Sequence, residues 1–182
     1  MKKDQADNAK GRILDAAERV VTDAGARHLT LEAVAAKAGV SRGGLLYHFP
    51  DKESLLKGML DRYTRHLEDD KKKRISKIPE GPDREAAAYV QTYLAEEDGA
   101  YRHVTASVIA SSAHAPELLS SAREDCRKNL LQLTKDGLRF ERAAVIMLAT
   151  HGLRLMEALS VSPVNRTEKR KIAEELLALA RE

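Results

Sequence analysis

Three features of this 182-residue sequence predict an all-α fold. Leu and Ala dominate, Trp is absent and aromatic residues make up only 4% of the chain, a composition that favours helices over sheets. Apolar residues recur at spacings of three and four in one stretch after another, the mark of a buried helical stripe. Glycine and proline steps separate about nine such stretches, and no convincing strand or internal repeat interrupts them.

The first stripe is Ile13, Ala16, Ala17, Val20, Val21 and Ala24, a helix over Asn8 to Ala24 that Gly25 stops in left-handed geometry. Thr30 caps the second helix, Glu32 suits its positive end, and Val34, Ala35 and Ala38 form its buried face. The chain then turns sharply through Ala38-Gly39-Val40-Ser41, and Ser41 caps a third helix whose inward residues are Leu45 and Phe49. Two short helices joined by a glycine-bearing turn behind a longer one form a helix-turn-helix. After Pro50, Asp51 caps a long fourth helix with stripe Leu55, Leu56, Met59, Leu60, Tyr63 and Leu67, reaching Ile78 before the break at Pro79, Gly81 and Pro82. Further helices are expected near 83–97, 101–113, 116–136, 140–160 and 166–181.

Composition bounds the function. The single cysteine, Cys126, excludes an internal disulfide framework and fits a reducing cytoplasm, where the chain is expected to act. MKKDQADNAKGR holds no apolar stretch that would read as a secretory signal. The longest strictly apolar run, Ala143 to Ala149, is seven residues, against the roughly 20 that a membrane span requires. Residues 1–82 carry 17 Lys/Arg and 13 Asp/Glu, and residues 83–182 carry 14 and 15, so the first part permits a polyanionic partner without demanding one. No HExxH, closely spaced Cys/His set, GxSxG or phosphate loop is present, and the chain is read as no enzyme, with no cofactor or metal. A metal- or histidine-dependent helical enzyme using His103, His114 or His151 is the alternative of another class. The run Lys71 to Lys77, KKKRISK, reads as a solvated helix end or a second nucleic-acid patch.

The stretch SRGGLLYHFPDKESLL, residues 41 to 56, sets a puzzle, because Gly43 and Gly44 in a helical first turn each cost about 1 kcal/mol relative to alanine. The set Thr30, Ala35, Ala38-Gly39-Val40-Ser41, Gly43, Leu45, Tyr47-His48-Phe49, Lys52-Glu53 and Leu55 resembles the DNA-binding region of the tetracycline-repressor (TetR) family of bacterial regulators, over roughly residues 8 to 60. A helix in the major groove presents its N-terminal turn to base edges, and bare residues there allow close approach. Arg42 is the long side chain at that tip, suited to a bidentate pair with guanine or to a phosphate. Thr30, Ser41, Tyr47, His48 and Lys52 resemble the family's backbone-contacting positions, whose contacts position without specifying. At Leu46 the family commonly has an aromatic, so one phosphate or sugar contact becomes apolar contact.

The resemblance also implies the rest of the molecule. Residues 1–50 would form the DNA-binding domain and 51–182 a helical-bundle ligand-binding and dimerisation domain, with 51–78 as the connecting helix. The partners would be a double-stranded, near-palindromic operator, a second copy held through the last two helices, and a small apolar or amphipathic inducer, with no membrane. Tyr89, Tyr93, Tyr101, His103, Ser107, Ser111, His114, Met147 and His151 are candidate pocket residues, because polar or adaptable groups there interrupt apolar faces. The function implied is a repressor released by its ligand; a constitutive or activating DNA-binding protein is the alternative.

Overall fold

The computed structural model describes residues 2–81, 83–95, 99–135 and 137–181, with side chains of residues 2–7, 26 and 99–101 outside the description. Its helices are α1 (Lys2–Ala24), α2 (Leu31–Ala38), α3 (Arg42–His48), α4 (Lys52–Ile75), α5 (Arg84–Tyr93), α6 (Gly99–Ser112), α7 (Ser120–Lys135), α8 (Phe140–Ala158) and α9 (Arg166–Arg181). Short 3-10 turns cover Ala26–His28 and Pro116–Leu119. Among the described residues there is no strand, as the composition predicts. The chain forms two compact units, Met1–Tyr63 with Asp98–Ser120, and Thr64–Glu97 with Ser121–Glu182.

In the first unit the α1 stripe is buried through Ile13, Ala16, Ala17, Val20 and Val21, and Leu14 joins it. Ala24 is exposed at the helix end, where Gly25 at φ 85° turns the chain away. Val34 and Ala35 bury α2, Leu45 and Phe49 bury α3, and Leu55, Leu56, Met59, Leu60 and Tyr63 bury the first part of α4. Ala38 is only half-buried, and Gly39 after it takes φ 66° to make the turn into α3. Asp51 and Ser54 cap α4 reciprocally: the Ser54 N–H donates to Asp51 Oδ1 at 2.7 Å and the Asp51 N–H to Ser54 Oγ at 3.2 Å. The α6 helix packs on α1, burying Val104 and Val108.

Two contacts in this unit were not foreseen. The Arg62 guanidinium of α4 donates to Asp15 Oδ1 at 2.6 Å and, through Nε, to Glu18 Oε1 at 3.0 Å, clamping α4 to α1. A Cβ built at Gly58 would lie 2.6 Å from the Phe49 ring and 3.4 Å from Leu14, so bare backbone is what lets α4 approach Phe49.

In the second unit Tyr89, Val90, Tyr93, Leu133, Ala143, Ile146, Leu176 and Ala180 form the core. Several helix ends differ from expectation. The fourth helix stops at Ile75 rather than Ile78: the Ile78 N–H still closes a turn on the Arg74 and Ile75 carbonyls at 3.1 Å and 3.3 Å, and the Arg84 guanidinium caps the Ile75 carbonyl at 3.0 Å and 2.8 Å. The fifth ends at Tyr93, and residues 96–97 of the expected span lie outside the described residues. The stretch from 116 opens as a 3-10 turn led by Pro116, with Leu118 N–H donating to the Ala115 carbonyl at 3.1 Å. In α8 the helix stops at Ala158, and Ser160 takes φ 57°. Asn165 caps α9, accepting from the N–H groups of Thr167 and Glu168 at 2.9 Å and 3.0 Å.

Gly58→Ala sets about 1 kcal/mol of helix propensity gained against the ~1–3 kcal/mol typical of overpacking. The ring it meets is 3% exposed and has nowhere to go. Chemical denaturation is expected to show net destabilisation of about 1 kcal/mol, with Gly58→Val lower still.

Candidate nucleic-acid interface

The tip of the first unit is built by two caps. Thr30 Oγ1 accepts the Ala33 N–H at 3.1 Å and Ser41 Oγ accepts the Gly44 N–H at 3.0 Å, so each cap satisfies one otherwise orphaned amide of its helix. The short turn between the helices sets their N-terminal turns side by side: Arg42 Nη2 lies 3.4 Å from Glu32 Oε1. Two positive helix ends therefore meet at one surface.

That surface is open. Thr30, Ser41, Arg42, Gly43, Gly44, Tyr47 and Lys52 are exposed, Leu46 and His48 are half-buried, and Leu45 between them is fully buried. Tyr47 is 82% exposed, far beyond what packing asks of a tyrosine, and stands edge-on to His48 with ring centres 5.1 Å apart. A Cβ at Gly43 would meet nothing within 4 Å, while one at Gly44 would lie 3.2 Å from Ser41 Oγ. Among the described residues nothing therefore requires Gly43 to be bare.

The candidate pocket residues divide between the units. Tyr89, Tyr93 and His151 come together in the second. Tyr89 stacks on Tyr93 with ring centres 4.4 Å apart, and the Tyr89 hydroxyl and His151 Nε2 share a hydrogen bond of 2.7 Å. Met147 is half-buried against the same core. The polar chain continues through residues not foreseen: Asn129 Nδ2 donates to the Tyr93 hydroxyl at 3.1 Å, Lys71 Nζ donates to Asn129 Oδ1 at 3.2 Å, and the Arg154 guanidinium sits 5.2 Å over the Tyr93 ring. Lys71 is thus tied inward, and Lys72 and Arg74 pair with Asp69 and Asp70. His103, Ser107, Ser111 and His114 belong to the first unit, where His103 and His114 are exposed and Ser107 bonds the His103 carbonyl at 2.7 Å. The side chain of Tyr101 lies outside the described residues.

Burial governs the titration of this cluster. It pushes Tyr89 well above the ordinary tyrosine range and Tyr93 up to about 12, the Asn129 hydrogen bond partly opposing the latter. It lowers His151, and it lowers Arg154 to about 10 against the pull of Glu157. At neutral pH the tyrosines and His151 are uncharged. Burial likewise raises the Cys126 thiol, with Asp125 adding to the effect.

Residues 13–59 match the model of bacterial regulatory proteins of the tetR family, and residues 83–181 match that of the tetracyclin repressor-like C-terminal domain. The chain belongs to the TetR family of transcriptional regulators. It is 40% identical over 87 residues to an HTH-type transcriptional regulator of Mycobacterium tuberculosis, a match that spans 47% of this chain and 42% of that protein. The chain therefore spans less than half the length of that curated relative. Its fold is that of a transcriptional regulator of Streptomyces coelicolor, SCO7518, with a TM-score of 0.71 at 22% identity over 96% of this chain and 99% of the other. It also matches the multidrug binding protein EbrR complexed with malachite green, with a TM-score of 0.64 at 22% identity over 93% and 96%.

In this TetR-family chain, the contacts that the sequence did not show are those of Glu32 with Arg42 at the tip and of Asn129, Arg154 and Lys71 around the tyrosines. Tyr89 with Tyr93, and His151 with Arg154, stand four and three residues apart on single helix faces, a signal that was available. Asn129 gave none, and Lys71 read only as the start of the basic run Lys71 to Lys77. Among the described residues no helix is long and apolar enough to cross a membrane.

Because burial holds the folded-state pKa of His151 below the ordinary histidine value of 6.5, the unfolded chain binds more protons once the pH falls below that value. The stability tied to neutral His151 is present above pH 6.5 and drains away below it, through the lowered folded value. Thermal melts from pH 7.5 to 5 are expected to show a falling Tm, and His151→Gln should flatten that slope.

Proposed function

We propose that the chain is a repressor that grips a near-palindromic operator as a dimer and lets go when a small apolar or amphipathic ligand binds. The observation that carries the reading is the tip: a capped helix start, exposed and bare at Gly43 for no reason internal to the fold, with one long cation beside it. In this reading residues 1–50 are the reading module, with Arg42 at guanine and the first turn of α3 in the major groove. Thr30, Ser41, Tyr47, His48 and Lys52 hold phosphates, Gly43 and Gly44 admit the duplex, and Leu46 makes apolar contact with the backbone sugar.

Residues 51–182 then serve dimerisation and ligand binding, with 51–78 as connector. Support for pairing comes from α8 and its C-cap Leu159, where Val145, Leu148, Leu155, Met156 and Leu159 are all exposed while Ala143, Ile146 and Thr150 on the other side are buried. An exposed apolar stripe of this length marks an interface, and two readers must lie about 34–36 Å apart to enter successive grooves. The tyrosine–histidine cluster offers aromatic faces and a few polar groups for a ligand, and EbrR, of similar fold, is described in complex with malachite green. The boundary between the units falls within α4, so a ligand that shifts this helix would disfavour the DNA-competent spacing, a coupling typically of about 1–3 kcal/mol.

Gly43→Ala separates reading from folding. It is expected to raise stability by about 1 kcal/mol, the helix-propensity difference, yet to weaken operator binding at least about tenfold through collision with the duplex. Unchanged operator affinity would contradict the reading. Leu148→Glu should convert a dimer to a monomer by light scattering and abolish tight operator binding at the same protein concentration.

A further inference from the structure

Glu32 is the acidic residue in the first turn of α2. Its carboxylate nonetheless lies against the reading tip, 3.4 Å from the Arg42 guanidinium, with the two side chains 63% and 69% exposed. A pair so open to water contributes little to folding. It stands where, on the DNA-reading function proposed above, a polyanion must arrive, and every phosphate repels it.

Arg42 needs restraint there. Its neighbours Gly43 and Gly44 bring no side chain that could buttress it, and an unrestrained guanidinium finds phosphates more readily than base edges, because phosphates are more numerous and fully charged. Contacts of that kind strengthen binding to any sequence alike. Guanine alone offers two acceptors, O6 and N7, in the geometry of the arginine fork. An anion beside Arg42 penalises approach to all DNA, and the penalty is offset only where the fork leaves the carboxylate for a partner that fills both of its donors. Specificity gained by a built-in repulsion is a general device.

We propose that Glu32 is a positioning residue for the reader: its carboxylate holds the Arg42 guanidinium away from phosphates, so that Arg42 discriminates for guanine. The proposal rests on the DNA-reading function above, and its failure can be told apart from failure of that function. A duplex is first selected from random sequence with the wild-type protein, and the guanine whose replacement no longer matters in Arg42→Ala is identified. Binding of wild type and Glu32→Gln is then measured by fluorescence anisotropy on that duplex, on the duplex with this guanine replaced, and on unrelated DNA, across a salt series. Glu32→Gln keeps the chain length and a carbonyl acceptor but removes the charge.

The expected result is affinity for unrelated DNA raised about fivefold, guanine preference reduced about tenfold, and a log–log salt slope steeper by about one contact. In the Arg42→Ala background the same substitution should leave preference unchanged. If Glu32→Gln shifts all three duplexes by one common factor, with guanine preference intact, the positioning role is overturned while DNA reading stands. If the wild-type protein selects no duplex at all, the reading function fails and the inference falls with it.

Discussion

The α3 helix cannot hold itself. It has seven residues, Arg42–His48, two of them glycine, whereas isolated helices shorter than about 12–15 residues are marginal in water even when rich in alanine. What holds it is the burial of Leu45 and Phe49, fully and almost fully removed from solvent. Much else in the first unit serves that burial. Gly58 leaves room for the Phe49 ring, the Ser41 cap satisfies the Gly44 amide, and Arg62 ties α4 to α1 through Asp15 and Glu18.

This division of labour explains why the tip can be so poor in side chains. A reading surface made of helix ends and glycines supplies little binding free energy of its own for folding, so its order must be imposed from beneath. A tip that is already ordered loses less conformational entropy on meeting a duplex than one that must fold there. Arg42 and Tyr47 stand exposed on that ordered base, and in the proposed reader Glu32 is the group that limits Arg42. In the second unit the same logic is inverted: the polar groups of Tyr89, Tyr93, His151 and Asn129 are buried, and their order comes from bonding one another.

The helices were legible in the sequence because they are local. Periodic stripes, Thr30, Ser41 and Asp51 caps, and the glycine stops at Gly25 and Gly39 act within one or two turns, and the structure repeats them within a few residues. The end of α4 was less legible, because its closing turn is capped by Arg84, nine residues away, reaching back to the Ile75 carbonyl. Gly58 carries no local signal, since its reason is a ring met only in three dimensions. Glu32 and Arg42 looked like independent end-charges until the turn between their helices set them side by side. The pairing of Tyr89 with His151, 62 positions apart, follows from packing that no local pattern encodes. The breadth of the α8 apolar surface was visible in the sequence, and its exposed half, Val145 to Leu159, is what one copy of the chain leaves uncovered.

Native-state hydrogen exchange on the protein without DNA tests most directly whether α3 is a prebuilt reader held from below. The Leu45 amide donates to the Ser41 carbonyl at 3.0 Å and the Phe49 amide to the Leu45 carbonyl at 2.9 Å. Both should exchange as slowly as the core amides of α1, with a free energy close to that of global unfolding. Exchange of these two amides near the rate of an unstructured chain, with protection appearing only when a duplex is added, would show that DNA orders α3 and would contradict the account.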